Sequence, residues 1–173
     1  MHVQATGSAP RRRWGTTQLN RSLFVALVAQ FQSYCRRLHD EAVEVHVTTA
    51  VAGQDAMLPT LLTQGRKLDT QNPRLSALGA DFGRLGFSFI DDLKAATHQT
   101  VVQPDALEDL LDFCNAVGQG DEVKIADLEA VGRIKSTKGS FQSYRKTVDQ
   151  LAGTTDTAVS DKLAALLGIP RPW

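Results

Sequence analysis

From Leu75 onward the apolar residues Leu75, Leu78, Phe82, Leu85, Phe89, Leu93 and Ala96 recur at steps of three or four positions. Side chains spaced this way stay on one face of a helix and would scatter over both faces of a strand, so the spacing predicts an amphipathic helix. Asn72-Pro73 ahead of it reads as a capping side chain followed by proline at the first helical position. Gly79, Gly83 and Gly86 interrupt the pattern, each at a cost of about 1 kcal/mol relative to alanine. They are expected where another backbone packs close by, and Gly86 is also a candidate kink.

A second segment carries the same signal over a greater length. Between Thr17 and Val47 the residues Leu19, Leu23, Leu27, Phe31, Tyr34, Leu38, Ala42 and Val45 share one helical face. Phe24, Val28 and Cys35 widen that stripe, which predicts a helix in the middle of a bundle. Asn20, Arg21, Gln32, Arg36, Arg37 and Glu44 form its polar face. Val43, Val45 and Val47 alternate with polar residues as a strand would, but only Val101-Val102 offers a partner. The alternation therefore reads as a helix end.

The remaining elements follow from caps and breakers. A short helix is expected over Asp55–Leu68. Gln103-Pro104 opens another, with Asp105 and Glu108 in its first turn where negative charge is favourable. Its stripe is Leu107, Leu110, Leu111, Cys114 and Val117, and Gly118 with Gly120 stops it. Residues 121–138 read as loop, with one helical turn near Asp127–Val131. Gly139-Ser140 starts a last helix on Phe141, Tyr144, Val148, Leu151, Thr155, Val159, Leu163 and Leu166 or Leu167, ended by Gly168 and Pro170. The sum is an all-α bundle of four long helices and one short one, forming a single domain over 16–173 behind a flexible segment 1–15.

Composition supports one folded domain. The chain has 173 residues, of which 42% are hydrophobic, enough for a core and too many for wholesale disorder. Nineteen basic residues balance nineteen acidic ones, which argues against a strongly basic nucleic-acid coat protein. Cys35 and Cys114 are too few for a disulfide framework, lack C-x-x-C spacing and suit a reducing compartment. The longest apolar run, Leu23–Ala29, is far short of the roughly 20 residues that span a bilayer. Arg11, Arg12 and Arg13 mimic the start of a signal peptide, but the helical periodicity continues past them through Arg36, Asp40 and Glu41. A soluble, cytoplasmic protein is expected.

No phosphate-binding glycine loop, H-E-x-x-H zinc motif or G-x-S-x-G nucleophile elbow is present. His39 and His46 lie seven residues apart with Glu41 nearby, yet no further ligands suggest themselves. They read as partly exposed helix residues, and neither a metal nor a cofactor is expected. Arg133, Lys135, Lys138, Arg145 and Lys146 form an acid-free basic run interleaved with Phe141 and Tyr144. Such a run is a candidate RNA-binding surface. The alternative places both aromatics in the core stripe and the charges on a solvated face.

The segment Leu110-Leu111-Asp112-Phe113-Cys114-Asn115-Ala116-Val117-Gly118-Gln119-Gly120-Asp121 resembles the signature region of the HEPN superfamily. Those are small helical bundles, many of them ribonucleases of toxin–antitoxin and anti-phage systems. The family signature is Arg, four to six residues, then His. Asn115, Ala116, Val117, Gly118 and Gly120 fit its frame, whereas Cys114 stands at the Arg position and Gln119 at the His position. Leu19–Glu41 is similar to the opening helix of the RiboL-PSP-HEPN-like branch, and Tyr144–Trp173 is similar to its last helix and tail.

The resemblance implies a homodimer, because such active sites usually form across a two-fold interface. It also implies a metal-independent reaction, in which a 2′-hydroxyl attacks the adjacent phosphate with His as acid or base and Arg steadying the negative charge. Gln119 does not titrate, and Cys114 supplies neither charge nor a fork of donors. No Arg here precedes a His by four to seven positions. The expected function is therefore a HEPN-like protein without ribonuclease activity, serving as an RNA- or protein-binding regulatory subunit in toxin–antitoxin or anti-phage defence. Two alternatives stand beside it. One is a ribonuclease using other groups, such as His39, Asp40, Glu41 or Lys124; the other is an unrelated helical scaffold.

Overall fold

A computed structural model describes residues 10–50, 57–89, 91 and 104–173. Seven α-helices can be bounded among these residues, and no strand occurs among them. They are α1 Pro10–Ala50, α2 Leu58–Thr63, α3 Lys67–Thr70, α4 Leu75–Gly83, α5 Pro104–Gln119, α6 Glu122–Ala130 and α7 Lys138–Leu167. The chain is an all-α bundle with α1 at its centre, packed against α7, α5 and the α2–α4 segment. None of the described helices is long and apolar enough to cross a membrane.

The core forms where stripes of three helices meet. Phe24 of α1 is fully buried, and its ring meets Phe113 of α5 edge-on at 5.5 Å and Phe141 and Tyr144 of α7 at 5.6 and 5.8 Å. Farther along α1, Phe31, Cys35, Leu38 and Ala42 are buried in the same cluster as Leu110 and Leu111 of α5 and Leu151 and Val159 of α7. Val43, Val45 and Val47 are helical and lie near the end of α1. Val101-Val102, Leu93 and Ala96 lie outside the described residues, as do His2 and His98.

Several boundaries differ from expectation, each for a local reason. Helix α1 begins at Pro10 rather than Thr17, while residues 1–9 of the N-terminal segment lie outside the described residues. Leu19 and Leu23 do not join the core but are 61% and 39% exposed, because the buried face at this end of α1 passes through Arg21 and Phe24. Instead of one helix over Asp55–Leu68 there are two short ones, parted by Gly65 at φ +67°. Residues 121–138 are more ordered than expected. The Asp121 side chain accepts from the Lys124 N–H and starts α6, which buries Ile125 and Leu128.

The most periodic segment is where the reading fails most. Helix α4 starts at Leu75, not Pro73, and ends at Gly83. Gly86 follows at φ +83°, a conformation costly for any residue with a Cβ. The Phe82 and Phe89 rings then stack at 5.2 Å. Seven residues of uninterrupted helix would rise about 10 Å, so the chain has turned back on itself. Both aromatics still reach the core, which is why the periodicity mimics one long helix. Among the described residues Gly79 and Gly83 have no neighbour within 4 Å of a Cβ placed on them, so the expected close backbone is not found there.

Candidate functional site

The segment between α2 and α4 lies across α1 and is held by polar side chains. Gln32 on α1 donates to the Leu68 and Gln71 carbonyls at 2.9 and 2.8 Å. Arg36, one turn later, donates to the Leu68 and Asp69 carbonyls at 2.7 and 3.1 Å. From the other side the buried Asp81 carboxylate accepts from the Lys67 and Leu68 N–H groups at 2.9 and 2.8 Å, satisfying the start of α3. Arg66 reaches Asp40 at 2.5 Å and Asp69 at 3.2 Å. Polar residues of a central helix thus fix a connection that has little apolar surface of its own.

Beside this segment lies an open cavity of about 420 Å³. Gln32 lines it from α1, Asp69, Gln71, Asn72 and Arg74 from the connection, and Asn115 from α5. Asn72 does not cap a helix; its Nδ2 donates to the Asn115 Oδ1 at 2.6 Å. The guanidinium of Arg74 bridges Glu108 and Asp112, two turns and one turn before Asn115 on α5. Its hydrogen bond to Asp112 is the main reason its already high pKa rises further.

Among the signature-like residues, only Asn115 lines this cavity. Cys114 is 7% exposed and belongs to the core, and burial pushes its thiol up to about 12. Gln119 ends α5 in an exposed position. Asn115 and Gln119 lie one turn apart on α5, whereas Cys114 is turned into the core.

His39 is a correction. It is fully buried rather than partly exposed, edge-on to Phe82 at 5.2 Å, with Nε2 at 3.2 Å from the Asp81 carbonyl. A carbonyl only accepts, so Nε2 carries the proton and the unpartnered, buried Nδ1 is bare. Burial lowers its pKa, against a smaller opposing effect of the carbonyl. Asp40 is exposed and paired with Arg66. Glu41 and Lys124 are exposed, and none of the four lines the cavity beside Asn115. Among the described residues no group of three or more His, Cys, Asp or Glu side chains is placed to hold a metal ion.

The basic run divides. Phe141 and Tyr144 pack on Phe24, and the Tyr144 hydroxyl donates to the Arg133 carbonyl at 2.8 Å, so neither is a free stacking platform. Arg133 pairs with Asp109 at 3.3 Å and Arg145 with Asp149 at 3.8 Å. Lys135, Lys138 and Lys146 are exposed and have no ion pair among the described residues.

Gln32, Asn72, Arg74 and Asp81 were not candidates in the sequence. The signal that finds Gln32 is the i, i+4 pair Gln32/Arg36 on the polar face of α1. No family model, curated protein or solved structure matches this chain.

Proposed function

We propose that this chain is a HEPN-like protein without RNA-cleaving activity that binds RNA as a regulatory subunit, in a toxin–antitoxin or anti-phage setting. The observation that carries the reading is the state of the two positions that would do the chemistry. One holds a buried thiol whose pKa is raised to about 12, and the other an exposed carboxamide. Neither exchanges a proton near neutrality nor places a cation beside a developing oxyanion.

RNA is favoured over a protein partner because Lys135, Lys138 and Lys146 are exposed cations not neutralised by any carboxylate among the described residues. Leu19 and Leu23, one turn apart and exposed on α1, support association with a second copy. The test is fluorescence anisotropy with a labelled single-stranded oligoribonucleotide at increasing salt. Binding that weakens steeply with salt, and weakens further in a Lys135→Ala/Lys138→Ala/Lys146→Ala variant, is the expected result. Absence of binding at low salt overturns the reading.

A further inference from the structure

The cavity between Gln32, Asn72 and Asn115 has a chemistry that the missing catalytic pair does not explain. The Asn72–Asn115 bond uses one N–H of Asn72 and the carbonyl of Asn115. It leaves the Asn72 Oδ1 as an acceptor and both Asn115 N–H groups as donors, with no partner among the described residues. Turning both amides over exchanges the roles and again leaves one free carbonyl and one free amino group, so the outcome does not depend on amide orientation. Gln32 spends both its N–H groups on carbonyls, which leaves its Oε1 as a further acceptor.

Charge narrows the ligand. Arg36, Arg66 and Arg74 are engaged by Asp40, Asp69, Glu108 and Asp112. Among the described residues, the only charged ones that line the cavity, Asp69 and Arg74, are both already paired, so a phosphate finds no uncommitted cation there. A zwitterionic amino acid finds no uncommitted charge of either sign. The lining suits a neutral ligand with fixed donors and acceptors along one edge, of a size matched to about 420 Å³.

We propose that the Asn72–Asn115 cavity is a binding site for an uncharged nucleobase, read on its hydrogen-bonding edge by carboxamides. Carboxamides match this edge chemistry because each presents a carbonyl and an amino group in one plane. The base arrives either in a free nucleoside or displayed by an unpaired nucleotide of a strand. The site is inferred without the basic segment, so it goes beyond RNA binding by those lysines and can fail separately.

The experiment titrates the full chain with adenosine, cytidine, guanosine and uridine, with their 5′-monophosphates, and with a mixed-sequence single-stranded decaribonucleotide, by calorimetry or NMR. Asn115→Ser and Asn72→Ser are carried in parallel, each checked for an unchanged circular-dichroism melt; the second lies in the connection and keeps the test open if the first unfolds. Saturable nucleoside binding, weakened about tenfold or more by either substitution and not improved by a 5′-phosphate, supports the site and a free-nucleoside source. Silence with nucleosides but decamer binding weakened about tenfold by the same substitutions supports a base displayed by a strand. Decamer binding equal in the parent and both variants, with no saturable nucleoside binding, overturns the site while leaving RNA binding intact. Monophosphates binding tenfold tighter than nucleosides overturns it as a phosphate site. No binding of any probe overturns both the site and the RNA-binding reading.

Discussion

Asp81 on α4 accepts the backbone N–H of Leu68 at 2.8 Å, thirteen residues earlier, with both residues fully buried. The same carboxylate accepts from Lys67. Removing it leaves two donors without a partner, each costing about 1–3 kcal/mol when buried. Asp81→Ala is therefore expected to lower the urea unfolding free energy by at least about 1 kcal/mol. Asp81→Asn, which keeps one accepting oxygen, loses less. An unchanged denaturation midpoint in Asp81→Ala contradicts this role.

His39 sets a pH dependence. Its neighbours are the Asp81 carbonyl, Arg66 and Asp40, and burial holds its folded pKa below the ordinary value of about 6.5. In acid the unfolded chain takes up a proton at this position before the folded chain does, so unfolding gains as pH falls. Stability is expected to be complete above pH about 6.5 and to decline below it, until pH reaches the lowered folded pKa, by up to about 1.4 kcal/mol per pH unit from this group. Denaturation at pH 7.5 and 5.5 measures it. His39→Leu loses the hydrogen bond at both pH values but flattens the His39 part of the slope; an identical slope in parent and variant contradicts the assignment.

The thiols report on the core. Burial raises the pKa of both Cys35 and Cys114, Cys114 to about 12, and the thiolate is the reactive form. Native protein at pH 8 is expected to label with a thiol reagent far more slowly than protein in denaturant, where both cysteines react. Fast native labelling at Cys114 contradicts its placement.

Phe24 joins α1 to α5 and α7 through three edge-on ring contacts. Phe24→Ala is expected to cost about 3–5 kcal/mol, the usual loss for an aromatic in a packed core. Phe24→Leu should lose much less. Chemical denaturation followed by circular dichroism distinguishes them, and equal stability of the two variants contradicts the account of the core.

Helix identity is legible in this chain because burial writes a period of three to four residues over α1, α5 and α7. The turn after α4 is not, because Phe82 and Phe89 reach the same core from both sides of Gly86 and keep the periodicity across a break. The start of α6 is legible in hindsight from Asp121 after Gly120, a capping residue behind a helix stop. The candidate site is legible through Asn115 and, more weakly, through the Gln32/Arg36 pair. Asn72 reads locally as a cap, and nothing in its neighbourhood announces a bond to a side chain 43 residues away. His39 misleads for a related reason: a polar residue on a helix reads as exposed unless its partner, here a carbonyl 42 residues later, is known.

The most direct test of the central claim is incubation of highly purified protein with a single-stranded oligoribonucleotide, without added metal, and mass analysis of the products. The account predicts intact RNA, the same in Gln119→Ala as in the parent. Fragments ending in 2′,3′-cyclic phosphate, formed in proportion to the protein and lost in Gln119→Ala or Cys114→Ala, would contradict it.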